Sequence, residues 1–116
     1  MIKTAGELIA IAQESIECLD AAQAKSMYDV TPGAVILDVR EADSVAKSKL
    51  NASINISRGL VEMNLPGKVD DPETLILVHC AGGGRASLTA ATLSNMGYRR
   101  VCAITAKYEE IKEIFD

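Results

Sequence analysis

Two unbroken apolar runs constrain this chain most: Ala34-Val35-Ile36-Leu37-Asp38-Val39 and Thr74-Leu75-Ile76-Leu77-Val78-His79. Each is too short for an amphipathic helix and too rich in β-branched residues to favour one, and neither alternates with polar residues as a half-exposed strand does. Strands apolar on both faces are covered on both faces, which is the condition of a central strand in a parallel sheet. Parallel neighbours need crossover connections, and these are usually helices. The two runs therefore commit the rest of the chain to supplying helices for both sides of a sheet.

The remaining segments supply them. Residues 4–14 have the spacing of an amphipathic helix through Leu8, Ile11, Ala12 and Ser15, and Ile16 to Leu19 reads as a short strand. Asp20 with Gln23 resembles a capping box opening a helix to about Tyr28, and Pro32-Gly33 marks a turn. After a polar stretch with room for a short helix, Ser53 to Ile56 reads as a strand. Leu60, Val61, Asn64 and Leu65 have the spacing of a short helix that Pro66-Gly67 stops. Residues 85–96 read as a helix closed by Gly97, Val101 to Ile104 as the last strand, and Tyr108, Ile111, Ile114 and Phe115 as one side of a closing helix. The expected fold is α/β, a three-layer domain with a mostly parallel, about five-stranded central sheet flanked by helices. A chain of 116 residues, 48% hydrophobic, suits one domain over 1–116, with 1–15 as an N-terminal helical extension.

Charge and cysteine usage narrow the function classes. A net charge of -4 provides no extended basic field for nucleic acid or an anionic membrane, and no apolar run approaches the length of a membrane span. The start, Met1 to Glu7, lacks the basic and apolar segments of a secretory signal. Cys18, Cys80 and Cys102 form neither an even-numbered disulfide framework nor a metal-ligand spacing, and His79 is the single histidine. The expectation is a cytoplasmic protein with free thiols, no metal and no cofactor.

Chemistry concentrates in His79-Cys80-Ala81-Gly82-Gly83-Gly84-Arg85-Ala86-Ser87. Ligands of parallel sheets bind beyond the carboxyl ends of the strands, where helix N-termini present free N–H groups. Cys80 follows an apolar strand, the glycines allow the backbone to curl with its N–H groups inward, and Arg85 opens the next helix. The result is an anion cradle that favours a thiolate, the reactive form of cysteine. Cys18 and Cys102 lie inside apolar strand-like runs and read as inert packing.

The cysteine loop resembles that of the rhodanese family, Cys-x-x-Gly-x-Arg between strand and helix, with Cys80, Gly83 and Arg85 matching position by position. Leu37-Asp38-Val39-Arg40-Glu41, Ile54-Asn55-Ile56 and Met96-Gly97-Tyr98 resemble further family elements, so the likeness spans about residues 16–116. It implies a sulfurtransferase in which Cys80 takes a sulfane sulfur from a persulfide or thiosulfate and passes it to a thiol or other nucleophile. The acceptor would be a small thiol or a protein sulfur carrier, and the protein a monomer or weak homodimer. Ala81, Gly82, Gly83, Gly84 and Arg85 would form the substrate loop. Tyrosine phosphatases place five residues between Cys and Arg against four here, which favours sulfur over phosphate. The alternatives are a non-catalytic or regulatory binding module and a phosphatase or arsenate-reductase relative.

Three departures qualify the resemblance. Lys49 stands where many relatives have a histidine, and Ala106-Lys107-Tyr108 where many have Gly-Gly-aromatic. The loop also lacks basic side chains between Cys80 and Arg85, which favours a persulfide donor over dianionic thiosulfate. Arg85 either binds the anion or ties the loop to a carboxylate. Asp38 and Arg40 read as a structural brace, His79 as a hydrogen-bonded core residue pointing away from Cys80. Arg58 is either a support of the loop or a surface residue.

Overall fold

The computed structural model describes residues 1–116. Eleven elements follow in order: α1 (Ala5–Glu14), β1 (Glu17–Leu19), α2 (Ala21–Val30), β2 (Val35–Asp38), α3 (Ala42–Lys47), β3 (Ser53–Asn55), α4 (Val61–Lys68), β4 (Leu75–His79), α5 (Gly84–Met96), β5 (Arg100–Ile104) and α6 (Tyr108–Phe115). A single 3-10 turn, Arg58–Leu60, leads into α4. The five strands form one sheet in the order β1-β5-β4-β2-β3, every pairing parallel. The two apolar runs are thus β2 and β4, neighbours at the centre, and all five residues of β4 are buried.

Strand alternation divides the core. Leu37, Ile76, Val78, Cys80 and Ala103 face the layer that carries Val61 and Leu65 of α4 and Ala86, Ala90 and Leu93 of α5. Ile36, Leu75, Leu77, Cys102 and Ile104 face Ala21 and Ala24 of α2 and Ile111 of α6. Small residues on α2 and α5 let those helices lie close on the sheet. Capping boxes open α1 at Thr4 with Glu7 and α2 at Asp20 with Gln23, and Gly97, at φ 114°, closes α5.

Two expectations from the sequence need correction. Pro66 and Gly67 lie inside α4, which continues to Lys68. The helix persists because Val61, Leu65 and Val69 are buried on one side, and Val69 N–H closes the last turn on Leu65 O at 2.8 Å. Pro66 is exposed, and its missing N–H deprives only the Glu62 carbonyl. In α1 the inward face is not the Leu8–Ile11 side: Leu8 and Ile11 are 46% and 49% exposed, while Ala12 is buried and Ile9 half-buried. A helix lying on one neighbour buries a narrow stripe, and here that stripe is set by α5.

Leu77 sits between Ile36 and Cys102 in register on the α2/α6 side and is fully buried. Leu77→Ala is expected to cost about 3–4 kcal/mol, seen as a lower urea midpoint at unchanged slope. Leu8→Ala, on the outward side of α1, is expected to cost less than about 1 kcal/mol.

Candidate active site

Cys80 is the first residue beyond β4 and only 2% exposed. Its Sγ accepts two backbone hydrogen bonds, from Gly83 N–H at 3.0 Å and Ala86 N–H at 3.3 Å. The loop closes this way because Gly83 has φ 104°, a conformation that side-chain-bearing residues rarely adopt. A Cβ there would also stand 2.9 Å from Thr105 Cα, so glycine is required twice over. Gly84 and Arg85 open α5, and as in the first turn of any helix their N–H groups have no backbone acceptor. Four loop amides, two engaged with sulfur and two unengaged, thus cluster at one helix N-terminus, where an anion is stabilised.

The exposed part of the loop is Ala81 and Gly82, and a Cβ on Gly82 would meet no heavy atom within 4 Å. Arg85 is half-buried and forms no ion pair, which removes the reading that it ties the loop to a carboxylate. Its guanidinium is available to an anion. Cys80 lines none of the surface cavities, and Ala81 and Gly82 are the loop residues open to solvent beside it.

A second group of polar residues stands behind the loop. Asp38 and Arg40 form a buried pair, Arg40 Nη2 lying 2.8 Å from Asp38 Oδ2 and donating also to Ser48 O at 2.8 Å. The pair links the end of β2 to Ser48, and the hydrogen bond to Asp38 raises the Arg40 pKa above its ordinary value. Tyr108 lies over the Arg40 guanidinium at 3.9 Å, shares a 2.7 Å hydrogen bond with Ser48 Oγ, and through its own N–H holds Ala81 O at 2.9 Å. The segment in which Ala106-Lys107 stands for two glycines therefore grips the active loop from the β5 side.

His79 points away from Cys80, toward Tyr108 and α6, as strand alternation requires. The expectation that it is hydrogen-bonded is not met in full. Its Nδ1 reaches the Cys80 carbonyl only at 3.5 Å, and Nε2, 3.7 Å from Asp38 Oδ2, has no partner. Burial lowers its pKa, outweighing the opposite pull of the Asp38 charge.

Arg58 does not support the loop. It pairs with Glu62 at 2.9 Å and donates to Thr92 Oγ1 at 3.2 Å, about 12 Å along α5 from Gly84. Lys49 spends its ammonium on Leu50 O at 2.8 Å. Cys18 and Cys102 occupy adjacent strands with Glu17 opposite Cys102, so their side chains leave opposite faces of the sheet and cannot bridge. Burial raises both thiol pKa values, that of Cys102 to about 11, which disfavours the thiolate at each. No group of three or more His, Cys, Asp or Glu side chains is arranged to hold a metal ion, and no helix is long and apolar enough to cross a membrane.

Ser87 escaped the sequence reading as a site residue. Its Oγ donates to Gly83 O at 2.7 Å, and the signal for it was its place four residues after the loop glycine, where a helical serine turns back to a carbonyl.

Comparison with known proteins adds to this geometry. The family model described as Rhodanese-like domain matches residues 20–114. Among solved structures, a Rhodopseudomonas palustris protein described as of unknown function and a possible tyrosine phosphatase aligns with TM-score 0.81 and 24% identity, over 97% of this chain and 92% of its own. The polysulfide-sulfur transferase homodimer of Wolinella succinogenes gives 0.75 and 24%, over 90% and 79%. The thiosulfate sulfurtransferase of Pseudomonas aeruginosa gives 0.78 and 24%, over 91% of this chain but 20% of its own. No curated protein matches.

Because His79 is the single histidine, its burial leaves a readable pH signature. Its folded pKa lies below the ordinary 6.5, so as pH falls past that value the unfolded chain takes up a proton that the folded one does not. Stability is expected to be complete above about pH 7 and to decline toward the folded pKa, and His79→Gln to flatten the slope between about pH 7 and 5.5. Urea unfolding across that range measures both.

Proposed function

The chain belongs to the rhodanese-like domain family, and from that premise we propose that it moves a sulfane sulfur from a persulfide donor to a thiol acceptor through a persulfide on Cys80. The observation that carries this reading is the pair of backbone N–H groups, of Gly83 and Ala86, directed at Cys80 Sγ in a loop with only four residues between Cys80 and Arg85. Such donors lower the energy of an anionic sulfur without needing a nearby base.

The exchange has two balanced steps. The Cys80 thiolate attacks the outer sulfur of a donor persulfide, a new S–S bond forms as the donor's own S–S bond breaks, and the donor thiolate leaves. An acceptor thiolate then attacks the outer sulfur held on Cys80, and the Cys80 thiolate departs as the leaving group. One S–S bond forms for each one broken and the sulfane sulfur keeps its oxidation state, so the exchange balances without an added oxidant or reductant. Gly84 and Arg85 N–H groups and the unpaired Arg85 guanidinium supply further donors to the terminal sulfur, which carries the negative charge.

Donor preference follows from what the loop lacks. Between Cys80 and Arg85 there is no cationic side chain, so a thiosulfate dianion gains little there, whereas a persulfide carries a single charge. The exposure of Ala81 and Gly82 suits a sulfur presented on a small thiol or on a protein sulfur carrier. Free thiols at all three cysteines suit a reducing, cytoplasmic setting, and we read the protein as a monomer or weak homodimer.

In direct competition a thiol persulfide is expected to give the higher kcat/KM and thiosulfate the lower, with Cys80→Ser reducing both by at least about a thousandfold. Turnover of aryl phosphate or arsenate, or thiosulfate outrunning persulfide, would count against this reading. Gly82→Lys adds a cation in open space without left-handed strain. It is expected to raise kcat/KM for thiosulfate about tenfold, the worth of one charge-assisted contact, and to change persulfide turnover little.

A further inference from the structure

Helix α1 precedes the residues matched by the family, yet it touches the active loop. Two contacts, one turn apart on each helix, lay it beside the first turn of α5. A Cβ on Gly84 would stand 2.8 Å from Ile9 Cδ1, and Gln13 Nε2 donates to Ser87 Oγ at 3.0 Å. Ser87 Oγ in turn donates to Gly83 O at 2.7 Å, and Gly83 N–H donates to Cys80 Sγ at 3.0 Å. Gly83 is therefore held on both sides of its Cα: its carbonyl is tied through Ser87 to the side of α1, and its N–H is directed at the sulfur.

We propose that α1 belongs to the active-loop apparatus, with Gln13, Ser87 and Ile9 as positioning residues that hold Gly83 so that its N–H points at Cys80 Sγ. Gly83, with φ 104°, has no side chain of its own to hold that conformation. Its carbonyl accepts from both Ser87 Oγ and Ser87 N–H, which fixes the peptide plane on one side of its Cα, while Thr105 presses on the other. The Gln13 amide fills the lone pair of the Ser87 hydroxyl and so commits that hydroxyl's hydrogen to Gly83 O. The effect on the sulfur is geometric: fixing the 83–84 peptide plane limits the rotation at the Gly83 Cα that would turn its N–H away. Ile9 closes the remaining gap by packing against Gly84 where the loop becomes helix. This arrangement also accounts for the orientation of α1, which buries Ala12, half-buries Ile9, brings the exposed Gln13 to Ser87 at its edge and leaves Leu8 and Ile11 exposed.

The inference rests on Cys80 as the nucleophile but not on sulfur being the group it carries, so its test uses alkylation. The rate at which iodoacetamide modifies Cys80 in the intact protein, read by mass on the Cys80 peptide as a function of pH, reports the thiolate. Gln13→Met keeps the length of the side chain and loses the donor; Ser87→Ala loses the hydroxyl. The ionisable groups on elements around the loop, Glu7, Asp38, Arg40, His79, Arg85 and Lys107, keep their charges in both. At neutral pH, Gln13→Met is expected to slow alkylation about threefold and Ser87→Ala about tenfold, the range one hydrogen bond supports. Both deficits should close at high pH, where ionisation is complete. Ile9→Ala should shift the profile the same way, whereas Leu8→Ala, on the outward side of the same helix, should leave it in place. Profiles of Gln13→Met and Ser87→Ala that superimpose on the unmodified protein, or a Leu8→Ala profile displaced as far as theirs, would overturn the proposal. Loss of sulfur transfer with these shifts intact would fault the assigned reaction and leave the positioning role standing.

Discussion

The convergence of Gly83 and Ala86 N–H groups on Cys80 Sγ is the interaction on which the rest of the structure depends. A nearly buried sulfur anion loses hydration, and only donors fixed in advance replace it. Backbone amides serve this purpose well because they neither titrate nor change rotamer. Their weakness is that a loop of glycines is floppy unless something outside it holds each peptide plane. Much of the surrounding architecture does that work.

Support comes from three directions. From below, the central strand β4, buried along its whole length, delivers Cys80 to a fixed height at the edge of the sheet. On the β5 side, Thr105 lies against Gly83, and Tyr108 N–H holds Ala81 O while its ring covers the buried Asp38–Arg40 pair. On the α5 side, Ser87 holds the Gly83 carbonyl. Arg40 serves Asp38 and Ser48 at once, and a buried pair met by further hydrogen bonds ties the β2 end to the loops beside it. His79 shows the opposite condition, a buried ring whose Nε2 has no partner. Its place directly before Cys80 makes that shortfall a cost carried by the fold at its most constrained point.

What could be read before the structure was whatever depends on local chemistry. β2 and β4 followed from unbroken apolar runs, the opening of α2 from its capping residues, and the Cys80 loop from glycines between a strand and a helix. Errors arose where a neighbour decides. The inward face of α1 is chosen by α5, because several faces of a helix rich in Leu, Ile and Ala are apolar enough to bury. Helix α4 runs through Pro66 because burial of Val61, Leu65 and Val69 outweighs one lost hydrogen bond. The destination of Arg58 and the missing partner of His79 Nε2 depend on distances between elements far apart in sequence. No spacing encodes those.

Intact mass after incubation with a thiol persulfide, beside a Cys80→Ser control, is the most direct measure of whether this cradle holds a transferable sulfur. The account predicts a gain of one sulfur atom, reversed by a thiol reductant and absent from the control. A protein that gains no sulfur from any persulfide or thiosulfate donor, or a Cys80→Ser variant that gains it equally, would contradict the account.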